Sequence, residues 1–233
     1  CLPQGCGPRV AYVSGGGAGT VIGADACETA GMQMPSFSPE TEKKLAEVLP
    51  GVGASNRNPI DIGNPHPPIK LLQSLLESMS ADENIDAVII RRVLFSVKMS
   101  KIFSGTTAPS EAEQLGLLEV PVNVMKKYHK PIIIILPDDM TGADSIYLEE
   151  ERRKIRDYFF ANGIPVFLSE PRAFTALAHL VKFKQRAARK ISSANKNKII
   201  SAPKTRKFFL DIRKKSQTSI LDEIQCKAIL KGV

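Results

Sequence analysis

Seven consecutive residues, Ser14-Gly15-Gly16-Gly17-Ala18-Gly19-Thr20, have the composition of an anion cradle. Glycines at 15, 16, 17 and 19 let the backbone turn sharply and approach a ligand. Ser14 and Thr20 frame them with hydroxyls. The apolar run Arg9 to Val13 before them reads as a buried strand, and Val21 to Ala30 after them reads as a helix stopped by Gly31. Backbone N–H groups in such a turn, next to the positive end of a helix, favour a phosphate group. The seven are therefore the candidate phosphate-binding residues of a phosphate- or nucleotide-associated α/β fold. The standard fingerprints do not apply. GxGxxG fails because Thr20 or Ile22 replaces the last glycine, and no Gly-Lys-Ser/Thr closes the turn. The structural alternative is a tight turn that lets the helix pack close to the sheet.

Other reactive side chains are sparse. His66 lies in a loop rich in proline, His129 ends a helix before Lys130-Pro131, and His179 lies in the last helix beside Leu177 and Leu180. None has a glycine-rich neighbourhood or an acidic partner in sequence, so no catalytic residue is assigned. Cys1, Cys6, Cys27 and Cys226 form no CxxC pair, and the histidines are not grouped near them. No metal site is expected, and the cysteines fit a reducing, cytoplasmic setting. No run of about 18 apolar residues suggests a membrane span.

The elements that must position the turn follow a regular alternation. Ser38-Pro39-Glu40 has the cap, the proline and the acidic first turn of a helix start, and Leu45, Val48 and Leu49 give that helix its apolar face. Asn58 to Gly63 reads as a short strand closed by a turn, and 67–79 as a helix with Leu71, Leu72, Leu75 and Leu76 inward. Ile85 to Ile90 is a continuous apolar run of the kind covered on both faces of a parallel sheet. Residues 91–108 show no clear period. A helix over 109–128, a strand over Pro131–Leu136, a long charged helix over 142–162, a strand over 163–167 and a helix from Pro171 to about Arg189 complete the pattern. Strand and helix alternate about five times, which implies a parallel sheet with helices on both faces. Ligands of such sheets sit beyond the carboxyl ends of the strands, where residues 14–20 fall.

The order of motifs resembles a family. Val10 to Gly19 followed by Ala24 to Gly31, Leu45 to Pro50 with Asn58-Pro59-Ile60-Asp61, and Asn162 to Phe167 followed by Pro171-Arg172-Ala173 and Ala176-Leu177-Ala178 are similar to the CoA-ligase domain of the NDP-forming (ADP-forming) acyl-CoA synthetases. That domain is itself similar to the C-terminal domain of the succinyl-CoA synthetase beta chain. The resemblance covers roughly residues 8–185. It implies a flavodoxin-like three-layer αβα domain with a mainly parallel five-stranded sheet. It also implies a ligase reaction that interconverts acyl-CoA, NDP and phosphate with acid, CoA and NTP. The phosphohistidine of that reaction would lie in a different domain. CoA and ATP/ADP would serve the complete enzyme, and the phosphohistidine and ATP-grasp domains would be partners of this one in an oligomer. In the beta chain the strand like Ala87 to Ile90 leads into a glycine pair; here Arg91-Arg92-Val93-Leu94-Phe95-Ser96 stands instead. Either arginine could meet phosphate by its side chain. The departure also admits a degenerate homologue that is a regulatory or scaffold domain.

Charge marks the remaining organisation. The net charge of +8 hides a mildly acidic body and a basic tail, because residues 182–215 hold thirteen Lys and Arg against Asp211 alone. Phe208 and Phe209 are adjacent, not interleaved with the basic residues, and no nucleic-acid motif is present. The tail reads as a linker in preference to a nucleic-acid binder, with lysines along a CoA path as a further reading. Ser219 to Leu230 resembles the helix that opens the ATP-grasp domain of the same enzymes. The expected organisation is a flavodoxin-like CoA-ligase domain over 8–189, a basic linker over 190–218, and the start of a truncated ATP-grasp domain over 219–233.

Overall fold

The structure, a computed structural model, describes residues 6–63, 67–91, 111–137 and 146–188, and five single positions beyond them. The chain divides into two compact units, Cys1–Phe183 and Lys184–Val233. His66, Arg92 to Ser96 and nearly all of the tail lie outside the described residues.

In chain order the elements are β1 (Val10–Ser14), α1 (Gly17–Thr29), α2 (Pro39–Val48), β2 (Ile60–Asp61), α3 (Ile69–Ala81), β3 (Ala87–Arg91), α4 (Glu111–Tyr128), β4 (Ile132–Ile135), α5 (Ile146–Ala161), β5 (Val166–Phe167) and α6 (Glu170–Ala188). The five strands form one sheet in the order β2-β1-β3-β4-β5, and every pairing is parallel. This is the flavodoxin-like order, with its switch point between β1 and β3.

Side-chain alternation along the strands sorts the layers. Ala11, Val13, Val88, Ile90, Ile132 and Ile134 face one core with Leu45 of α2, Leu72 to Met79 of α3, Val120 to Val124 of α4 and Phe159 of α5. Val10, Tyr12, Ala87, Ile89, Ile133 and Ile135 face the other core with Ala26 and Cys27 of α1 and Phe174 to Val181 of α6. The four isoleucines of β4 are all buried, which explains why that strand shows no polar alternation.

Local signals place the helices well. Ser38 caps α2 by accepting from the Thr41 N–H at 3.3 Å, with Pro39 in the first turn. Among the boundaries that differ from expectation, three bear on the site. α1 starts at Gly17, four residues before Val21, because the Gly16 carbonyl already accepts from the Gly19 and Thr20 N–H groups. β3 runs on to Arg91, held in register opposite Ile135. β2 is only two residues long and pairs β1 at Val13 and Ser14 alone.

Asn58 makes up for that short strand. Its side-chain oxygen accepts from the Tyr12 N–H at 3.1 Å, and its amide donates to the Val10 carbonyl at 2.8 Å and the Pro35 carbonyl at 2.9 Å. One side chain thus serves part of the β1 edge that β2 does not reach. Gly63 closes the segment at φ 66, where a Cβ would meet the Gly53 carbonyl oxygen at 2.6 Å.

Candidate functional site

The carboxyl ends of β1 and β3 meet at the switch point. Ser14 ends β1 and Arg91 ends β3, with the first turn of α1 rising between them and solvent. All seven residues of the sequence-derived cradle are at this place, but they do different work. Gly16 is the N-cap of α1 in extended geometry, with no side-chain cap and no atom within 4 Å of where its Cβ would stand. Gly17 and Ala18 are exposed, and Gly15, Gly16 and Thr20 are half-buried. The Thr20 hydroxyl is turned back onto the Gly17 carbonyl at 2.6 Å.

Gly19 is buried for a packing reason. A Cβ there would collide with Ser14 Oγ and stand 3.1 Å from Arg91 Cδ. Gly23 repeats the theme one turn on, where a Cβ would overlap the Tyr12 ring. The close-packing reading therefore accounts for Gly19 and Gly23. Gly15, Gly16 and Gly17 remain at the open end of α1, where the first amides of a helix have no intrahelical acceptor.

Side chains complete the cleft. Ser14 is 3 % exposed, with its hydroxyl against Gly19. Arg91 pairs with Glu170 at the start of α6, and Glu170 is itself only 3 % exposed. The Tyr12 hydroxyl donates to the same carboxylate oxygen at 3.0 Å. Burial, then the Glu170 charge, raises the Tyr12 phenol well above its ordinary range, so it remains a donor. Asp61, at the end of β2, accepts from the Gly63 N–H at 2.8 Å through Oδ1, while Oδ2 lies 3.4 Å from where a Gly17 Cβ would be.

Sequence reasoning singled out the glycine turn and Arg91, but missed Tyr12, Asp61 and Glu170. Tyr12 and Glu170 are 158 positions apart, and nothing in local spacing pairs them. The one available signal was an acidic residue at the start of the last helix. Among the histidines, His129 and His179 are exposed. Cys6 and Cys27 are buried thiols, and burial, then Glu28, pushes Cys27 up to about 11. Among the described residues no group of three or more His, Cys, Asp or Glu is placed to hold a metal ion, and no helix is long and apolar enough to cross a membrane.

No family model matches the chain. Among curated proteins it is 29 % identical over 188 residues to an ADP-forming acetate–CoA ligase of Archaeoglobus fulgidus, covering 79 % of this chain and 24 % of the relative. It is 26 % identical over 211 residues to an ADP-forming 4-hydroxybutyrate–CoA ligase of Nitrosopumilus maritimus, covering 91 % of this chain and 26 % of the relative. The chain thus spans about a quarter of the length of the curated relatives it matches. Solved structures share the fold. One from Pyrococcus horikoshii has a TM-score of 0.61 at 22 % identity, covering 80 % of this chain and 38 % of its own. The dinucleotide-forming acetyl-coenzyme A synthetase 1 of Ca. Korarchaeum cryptofilum, in complex with phosphate and ADP, has a TM-score of 0.57 at 19 % identity, covering 86 % of this chain and 37 % of its own. The chain is thus similar in sequence to one segment of ADP-forming acyl–CoA ligases, and it shares its three-layer fold with the solved structures.

Proposed function

We propose that this chain is the CoA-ligase domain of an NDP-forming acyl-CoA synthetase. In the complete enzyme it takes part in interconverting acyl-CoA, NDP and phosphate with acid, CoA and NTP. The observation that carries this reading is a phosphate-compatible turn at the switch point of a sheet whose sequence matches such ligases. The phosphohistidine of the reaction lies outside these residues, as do most of the surfaces for CoA and ATP/ADP. The role of this domain is to present the open turn at Ser14 to Thr20 to a phosphoryl group, while the CoA-binding and ATP-grasp domains supply nucleophile and nucleotide. The proposed boundaries are 8–189 for this domain, 190–218 for a basic linker and 219–233 for the start of the ATP-grasp domain. The complete enzyme works as an oligomer in the cytoplasm.

Assay of the purified chain with acetate, CoA and ATP, alone and with the remaining domains of the same enzyme, tests this. The chain alone should give no acyl-CoA, and the complemented mixture should give it. Turnover by the chain alone refutes the division of labour, and silence of the complemented mixture refutes the catalytic role.

A second reading is a non-catalytic regulatory or scaffold domain. The observation favouring it is Arg91, which stands paired to Glu170 where the beta-chain pattern leads into a glycine pair.

A further inference from the structure

We propose that Lys130 is an acyl-acceptor site, whose Nζ takes the acyl group of an acyl thioester or acyl phosphate that enters a cleft at the amino edge of the sheet. The inference rests on the acyl-CoA synthetase reading only for the supply of such donors. It concerns the edge opposite the glycine turn.

The cleft is built where three neighbouring strands begin. Arg9 precedes β1, Ile85 and Asp86 precede β3, and Lys130 stands two residues before β4. Together with Ser80 and Ala81 at the end of α3, Glu83 just beyond it and Tyr128 at the end of α4, they line a cavity of about 480 Å³. His129 takes the left-handed conformation at φ 55, which closes α4 and turns Lys130 toward the end of α3. There its Nζ donates to the main-chain carbonyl of Asp82. The other cation of the cleft, Arg9, is taken up by Asp86, through Nε at 3.0 Å and Nη2 at 2.6 Å. Lys130 has no such ion pair among the described residues. Ser80, 1 % exposed, lines the same cavity with a buried hydroxyl that has no hydrogen-bond partner among the described residues. That hydroxyl is a donor in reserve for a carbonyl oxygen brought to the wall.

A half-buried amine in this setting is a nucleophile. Burial lowers Lys130 below its ordinary range, Arg9 works in the same direction, and the charges of Asp82, Asp86 and Glu83 offset this only in part. More of the side chain is therefore neutral, the form that attacks carbonyl carbon. Two lysines of the same unit have the opposite setting. Glu40 holds Lys44 at 2.7 Å, and Tyr128 and Glu77 hold Lys127, so both ammonium groups stay above their ordinary range.

The step is an aminolysis. Nζ bonds to the acyl carbon, and the bond from that carbon to the thioester sulfur or the phosphoryl oxygen breaks. One amine proton leaves with the departing group, giving free CoA thiol or hydrogen phosphate. The product amide keeps one N–H for the Asp82 carbonyl, so the modification removes a charge and spares the hydrogen bond.

The test is incubation of the purified 233-residue chain at pH 8 with acetyl-CoA or with acetyl phosphate. Cleavage at glutamate and mass spectrometry then give the acylation rate at each lysine. Lys130 should react at least about threefold faster than Lys44 and Lys127, because each unit of lowered pKa raises the neutral fraction about tenfold and weaker basicity takes back part of that. In urea the three rates should converge. Lys130→Arg keeps the charge and should remove the fast phase of acyl incorporation, whereas Lys44→Arg should leave it. Faster labelling by acetyl phosphate at equal concentration assigns the acyl phosphate as donor, and faster labelling by acetyl-CoA assigns the thioester. A Lys130 rate no higher than that of Lys44 and Lys127, or a ranking that survives urea, overturns the inference. Both donors are added directly, so this result is independent of whether the complemented domains make acyl-CoA.

Discussion

Alanine at Gly16, Gly19 and Gly23 separates what these glycines do for packing from what they do for a ligand. At Gly23 the new methyl would overlap the Tyr12 ring, standing 2.7 Å from Cδ1. That ring is fully buried and backed by Phe174 at a centroid distance of 6.0 Å, so it has nowhere to turn. Overpacking of this kind costs about 1–3 kcal/mol, against a helix-propensity gain of about 1 kcal/mol for Gly→Ala. The net loss at Gly23 is up to about 2 kcal/mol, or a fall of roughly 4–8 °C in melting temperature for a chain of this size. Gly19→Ala is milder. Arg91 Cδ yields, but Ser14 Cβ at 3.0 Å is fixed to the strand, so α1 must lift slightly and disturb the cleft. Gly16→Ala meets nothing within 4 Å, and its φ of −174 suits any residue. Its cost is limited to the exchange at a helix cap, within about 1 kcal/mol, yet its methyl enters the space that a ligand would take. Thermal unfolding by circular dichroism and phosphate titration on the same samples read both effects. Stability should fall in the order Gly16, Gly19, Gly23, while Gly16→Ala loses phosphate affinity. A Gly23→Ala more stable than the native chain, or a Gly16→Ala less stable than Gly23→Ala, refutes the argument.

Three further outcomes follow from contacts described above. Asn58→Ala leaves one N–H and two carbonyls near β1 without their partner, and should cost about 2–4 kcal/mol in urea unfolding; a loss below about 0.5 kcal/mol would show that water replaces the side chain. Tyr12→Phe removes a hydrogen bond to a buried carboxylate, and should cost about 1.5–3 kcal/mol by the same assay, with an unchanged midpoint refuting it. For pH, burial alone would raise Asp82 and Asp86, but hydrogen bonds from the Ser38 and Asn84 N–H groups to Asp82, and from Arg9 to Asp86, outweigh it and hold both carboxyls below their usual range. A folded value depressed below the unfolded one of about 3.9 gives stability that is fully present above that pH and is lost as pH falls through the folded value. Denaturation midpoints measured from pH 6 downward should drop below about pH 4, and more gently in Asp86→Asn; an identical slope in that variant counts against the account.

Much of the architecture was legible because its causes are local. Ser38-Pro39 announces a helix, four isoleucines announce a central strand, and Gly15 to Gly19 announce a turn at a sheet's carboxyl edge. The start of α1 was misplaced because glycine weighs against helix in isolation, while here Gly19 and Gly23 are what lets the helix lie against Ser14 and Tyr12. The site was only half legible. Its backbone part is contiguous, but its charged part comes from the ends of β2, β3 and the beginning of α6. Asn58 looked like part of a strand, and its use as a substitute for one depends on contacts with residues 46 and 48 positions away.

The bond between Tyr12 and Glu170 joins the first strand of the α/β unit to its last helix. During synthesis the glycine turn leaves the ribosome well before Glu170, the residue whose carboxylate pairs with Arg91. The cleft is therefore assembled last although its backbone is made first. A chain cut before α6 keeps the glycine turn but lacks the Glu170 carboxylate that Arg91 and Tyr12 share.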